Sequence, residues 1–192
     1  MDAKSRILNA GVKIVLQKGF YDTGLAELLE AAQVPKGSFY FYFKNKEDFG
    51  LQLIDYFADN LKTGIEKVYK NESIPHIERV RRVFKEQAES FRKNDFKGGC
   101  PIGNLSLEMG DRNVKFRKKL NQVFENMKKN LSALLEKAQK GREISESIDV
   151  HDTADFVISS WEGVLMKMKV SKSAHPHEVF DRMIFELLLK PA

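Results

Sequence analysis

Apolar residues recur along most of this chain at intervals of three and four, the spacing that lines one face of an α-helix. Ile7, Leu8, Val12, Ile14, Val15 and Leu16 mark a first helix over residues 2–18, with Gly19 placed to stop it. Leu25, Leu28, Leu29 and Ala32 mark a second, shorter one, with Glu27 and Glu30 outside the stripe and Thr23 positioned as its N-cap. Pro35 suits the first position of a third helix, predicted over 35–42, whose inward pair is Phe39 and Phe43. Asn45 caps a long fourth helix reaching residue 70, and Asn71–Pro75 breaks it. Further helices are predicted over 77–91, 101–109, 114–138, 150–171 and 176–189. No segment alternates with period two, so the fold class is all-α, with about nine helices and no internal repeat.

The third helix carries the densest chemistry. Five consecutive aromatics, Phe39 to Phe43, cannot all face a core, because successive helical residues are about 100° apart. With Phe39 and Phe43 inward, the outward face holds Lys36, Gly37, Ser38, Tyr40, Phe41 and Tyr42: a cation, hydroxyls and a residue without a side chain. Glycine inside a helix costs about 1 kcal/mol against alanine, so Gly37 points to a second surface drawn close to the backbone. Lys46, at the start of the fourth helix, is placed to hold a phosphate together with backbone N–H groups. Helix-turn-helix geometry also recurs in proteins that bind no DNA, and on the pattern alone these aromatics can be core.

The segment VPKGSFYFYFKNKEDF resembles the recognition-helix signature of the tetracycline-repressor (TetR) family of bacterial transcription factors, and the resemblance extends over residues 4–55. It implies a DNA-binding domain at 1–48 and an effector-binding and dimerisation domain at 49–192, joined by the fourth helix. It also implies operator contacts from Thr23, Lys36, Gly37, Ser38, Tyr40, Tyr42 and Lys46, a homodimer, and double-stranded operator DNA as partner. Two positions depart from the family pattern: Pro35 stands where a Ser commonly precedes the Lys, and Gln33 where Gly often makes the turn. Two amphipathic C-terminal helices fit a four-helix dimer interface, although such stripes can equally cover a protomer's own core.

Composition narrows the rest. The 192 residues are 42% hydrophobic and 31% charged, as in a soluble globular protein, with no membrane-length apolar run and no signal-peptide order at the start; a cytoplasmic protein is expected. The net charge of +5 favours polyanions only weakly, and residues 1–50 hold seven Lys/Arg against six Asp/Glu, so DNA affinity must come from local placement. The four histidines form no metal-ligand pair, no glycine-rich phosphate loop occurs, and neither a cofactor nor a metal is expected.

A sensor is sought in Lys97-Gly98-Gly99-Cys100-Pro101, where the only cysteine precedes a helix that Pro101 opens. A thiol there feels the positive end of the helix dipole, which favours the thiolate. GGCPIGNLSLE also resembles the corresponding segment of an electrophile-responsive TetR subgroup, which implies a small-molecule or electrophilic effector sensed at Cys100. Trp161 and Lys169 are the other candidates for effector contact, Lys169 because it follows Leu165 by four residues on the apolar stripe. Two alternatives stay open: a reversible hydrophobic ligand with a structural Cys100, and an all-α enzyme using that thiol.

Overall fold

Asp2 caps α1 (Ala3–Lys18) by accepting the N–H of Ser5 at 2.7 Å. The computed structural model describes residues 2–190, and among these every regular element is helical. The others are α2 (Leu25–Ala32), α3 (Ser38–Tyr42), α4 (Lys46–Tyr69), α5 (His76–Lys93), α6 (Pro101–Met109), α7 (Val114–Lys140), α8 (Val150–Ser171) and α9 (His175–Asp181), the last continuing as a π-helical turn, Arg182–Leu188. No described helix is long and apolar enough to cross a membrane. Two compact units result among the described residues: 2–61 with Cys100–Val123, and Lys62–Gly99 with 124–190.

In the first unit α1 packs against α2, α3 and α6. Its core is aromatic: Phe39, Phe43 and Phe49 are buried with ring centroids 5.1–5.9 Å apart, and Phe20 lies 4.9 Å from Phe116. Gly50 allows this second pair, since a Cβ there would lie 2.4 Å from the Phe116 ring and 2.5 Å from the Phe20 ring. Gly19 ends α1 as expected, at φ 88° with its N–H on the Val15 carbonyl.

Two expectations need correction. The residue at the N-cap of α2 is Gly24, not Thr23; Thr23 is buried, and its hydroxyl donates to the Gly19 carbonyl at 2.6 Å. The third helix starts at Ser38 rather than Pro35. The Ser38 N–H donates back to the Pro35 carbonyl at 2.9 Å, so residues 35–37 make a tight turn before the helix.

In the second unit α9 packs against α8 and α5. Phe84, Trp161 and Phe180 form an aromatic cluster with centroids 5.0–5.3 Å apart. Arg81 Nε donates to Asp181 at 2.9 Å across it, and the buried guanidinium of Arg79 donates to the carbonyls of Tyr69 and Ile74, fastening the α4–α5 connection. Helix α8 has two apolar faces: Val157, Trp161, Leu165 and Met168 are buried, while Phe156, Met166 and Val170 are exposed, along with Met183 and Leu187 of the π-helical turn.

Candidate nucleic-acid interface

Helix α2 ends at Gln33, which takes the left-handed conformation (φ 54°, ψ 49°) and reverses the chain toward α3. Its carbonyl accepts from Arg6 Nη1 at 3.1 Å, and Lys18 pairs with Glu27 in the first turn of α2, so α1 braces both ends of α2. After α3, Phe43 returns to extended backbone and Asn45 caps α4 by accepting the Asp48 N–H at 2.8 Å. The Asp48 carboxylate in turn accepts the N–H of Lys44 at 2.9 Å, a reciprocal cap that fixes the exit of α3. Acceptance of that N–H holds Asp48 below the ordinary carboxylate range.

This frame sorts the aromatic run as expected. Phe39 and Phe43 are buried, while Tyr40 and Phe41 are 68% and 82% exposed and Tyr42 is half-exposed. Lys36 and Gly37 are exposed and Ser38 half-exposed beside them. Gly37 has φ −65° and ψ −23°, an ordinary helical conformation, and an added Cβ would meet nothing within 4 Å. Neither strain nor crowding inside the fold requires glycine there.

Thr23 and Lys46 sit differently. The Thr23 side chain is buried, as described above, and so supports the α1–α2 connection instead of facing solvent. Lys46 Nζ donates to the Tyr21 carbonyl at 2.7 Å and lies 5.2 Å from the centre of the Phe20 ring; partial burial lowers its pKa, an effect that Glu108 and Asp22 oppose.

A brace from α6 and α7 had no signal in the sequence pattern. Glu108 of α6 accepts the N–H groups of Phe20 at 2.8 Å and Tyr21 at 2.6 Å, and the Arg112 guanidinium lies 5.4 Å from the centre of the Tyr21 ring. Glu47, in the first turn of α4, accepts from Lys115 at 2.6 Å and Asn113 at 2.7 Å, which depresses its pKa. The partners are more than sixty residues apart, so no local periodicity announces them.

Cys100 caps α6, with the Gly103 N–H directed at its Sγ at 3.5 Å and Pro101 in the first turn, as its sequence setting predicts. It is half-buried and belongs to the same compact unit as α3. Trp161 and Lys169 belong to the other unit. Trp161 is buried in the aromatic cluster, its indole N–H donating to Gln87 at 3.0 Å. Lys169 is exposed, which corrects its placement on the apolar stripe. Eight residues at about 100° each leave Lys169 about 80° away from the direction of Trp161, and Met168 takes the inward position instead.

Proteins of known structure share this all-helical fold. Residues 7–53 match the family model "Bacterial regulatory proteins, tetR family", and residues 76–184 match "Tetracyclin repressor-like, C-terminal domain". The transcriptional regulator AcuR of Cereibacter sphaeroides is 33% identical over 94% of this chain and 82% of its own. The HTH-type transcriptional repressor DhaR of a Mycobacterium species is 30% identical over 97% of this chain and 92% of its own. The crystal structure of the reduced form of Escherichia coli NemR superposes with a TM-score of 0.87, at 26% identity, covering all of both chains.

Proposed function

The chain belongs to the TetR family of bacterial transcriptional regulators, and on that premise we propose that it is a homodimeric repressor that leaves its operator when a small effector, an electrophile or oxidant, acts at Cys100. Proteins of this family regulate transcription and are not enzymes, so catalysis at Cys100 is set aside. The observation that carries the proposal is the division of α3 and its flanking residues, where Phe39 and Phe43 are the inward anchors while Lys36, Gly37, Tyr40 and Phe41 stand in solvent. A cation, phenol hydroxyls and a bare stretch of backbone form a surface suited to phosphates and base edges. We assign the contacts to Lys36, Gly37, Ser38, Tyr40, Phe41 and Tyr42, with Thr23 and Lys46 holding the reading head in shape. Residues 1–48 read the operator, and 49–192 carry effector binding and dimerisation.

Dimerisation is supported by the second apolar face of α8 and the π-helical turn, where Phe156, Met166, Val170, Met183 and Leu187 are exposed. A two-fold dimer presents two copies of α3 to half-sites about 34–36 Å apart or a multiple of that.

The case for Cys100 rests on its position. It caps the helix whose far end, through Glu108, grips Phe20 and Tyr21 of the same unit. Addition of the thiolate to an activated alkene forms a carbon–sulfur bond, with a solvent proton completing the adduct at the neighbouring carbon. The adduct removes the thiolate's negative charge from the cap and adds bulk at the start of α6. Shifting α6 tilts the linking helix α4 and changes the separation of the two copies of α3. A 100-fold loss of operator affinity needs about 2.7 kcal/mol of coupling. Escherichia coli NemR, to which this chain is similar, has been crystallised in a reduced form.

The test is fluorescence anisotropy on DNA from upstream of the protein's own coding sequence, with and without N-ethylmaleimide, for wild type and Cys100→Ser. Release of the wild type alone supports thiol sensing. Release of neither leaves a repressor with a reversible ligand.

A further inference from the structure

Phe41 is the one side chain of the reading face that can form no hydrogen bond, yet it is 82% exposed. Successive residues differ by about 100° around a helix, so Tyr40 and Tyr42 project to either side of it and Gly37 lies one turn before it on the same face. The centre of that face is therefore a phenyl ring above bare backbone. Its flanks carry the polar groups: Ser38 lies one turn before Tyr42, and Lys36 stands exposed in the turn that leads into the helix. The Tyr42 ring meets the Phe41 ring edge-on, with centroids 4.9 Å apart and an interplanar angle of 85°, and so restricts its orientation. Nothing lies within 4 Å of the position a Gly37 Cβ would occupy, leaving room for a base edge to approach the ring.

Hydroxyls and a cation at the flanks suit the phosphates that wall a groove. The apolar centre needs an apolar partner, and in the major groove that is the C5-methyl of thymine. We infer that Phe41 is a specificity-determining residue that reads a thymine methyl in each operator half-site. The inference rests on the repressor reading above and adds to it a statement about the operator: each half-site contains a thymine recognised through its methyl group rather than its hydrogen-bonding edge.

Deoxyuridine in place of thymidine removes that methyl and leaves base pairing intact. Duplexes enriched by the full-length protein from a randomised library are resynthesised with each thymidine replaced in turn, and anisotropy is read for wild type, Phe41→Ala and Tyr40→Phe. One position per half-site is expected to weaken wild-type binding about fourfold when its methyl is lost, the effect of one buried methyl. Phe41→Ala, an exposed substitution that keeps the fold, binds more weakly and shows a thymidine-to-deoxyuridine ratio near one at that position, whereas Tyr40→Phe keeps the fourfold ratio. Wild-type binding that is indifferent to deoxyuridine everywhere, or a ratio that persists in Phe41→Ala, overturns the assignment while leaving the repressor reading intact. Failure to enrich any duplex overturns the repressor reading, and this assignment with it.

Discussion

Glu108 accepts the backbone N–H of Tyr21 at 2.6 Å, and its other carboxylate oxygen accepts that of Phe20 at 2.8 Å. This grip fastens the end of α6 to the α1–α2 connection, whose Tyr21 carbonyl in turn takes the Lys46 ammonium. Glu108→Gln puts an NH₂ group against one of the two amide donors, and breaking one charge-assisted bond costs about 1.5–3 kcal/mol. Urea unfolding is expected to show a lower midpoint, and anisotropy a weaker operator complex. Unchanged operator affinity in the folded variant would separate this grip from the reading head.

Gly50 is expected to be intolerant of the smallest enlargement. The Cβ of Gly50→Ala would meet the Phe116 and Phe20 rings at 2.4–2.6 Å, and rings held in a core cannot retreat cheaply. Overpacking of this kind costs about 1–3 kcal/mol, readable as a drop in Tm. At Gly64, where a Cβ would meet nothing within 4 Å, the same substitution is expected to do no such harm.

Acid sensitivity of the reading head is expected to track Asp48. Its pKa lies below the ordinary value in the folded state, chiefly because it accepts the Lys44 N–H. The carboxylate therefore contributes its stability above the unfolded pKa of about 3.9, and loses it as pH falls through that value toward the folded one. Asp48→Asn keeps an oxygen for the N–H and does not titrate. The stability gap between wild type and variant is expected to be largest near neutral pH and to narrow below about pH 4; a gap constant from pH 7 to pH 3 would contradict this.

The fold was legible where its signals are local. Periodic stripes placed nearly every helix, Pro101 marked the start of α6, and the crowding of five aromatics on one short helix foretold that some must face outward. The misreadings came from competition and distance. Gly24 rather than Thr23 stands at the α2 cap, and the threonine hydroxyl bonds back to the Gly19 carbonyl instead. Pro35 began a turn rather than a helix, its carbonyl taking the Ser38 N–H three residues on. Lys169 looked inward only while its helical drift from Trp161 went uncounted, and the Glu108 grip joins residues 87 and 88 positions apart.

Gly37→Ala tests most directly the claim that α3 is a surface built for DNA. Gly37 adopts a backbone conformation open to any residue, and nothing crowds an added methyl, so the variant is expected to be no less stable and to gain as much as about 1 kcal/mol. If the duplex closes on that backbone, the same methyl obstructs it, and anisotropy should show operator affinity falling by about tenfold or more, a loss of about 1.4 kcal/mol. A variant that is at least as stable but binds far more weakly is the predicted result. Wild-type affinity in Gly37→Ala would contradict the account, because the glycine would then serve neither the fold nor the DNA.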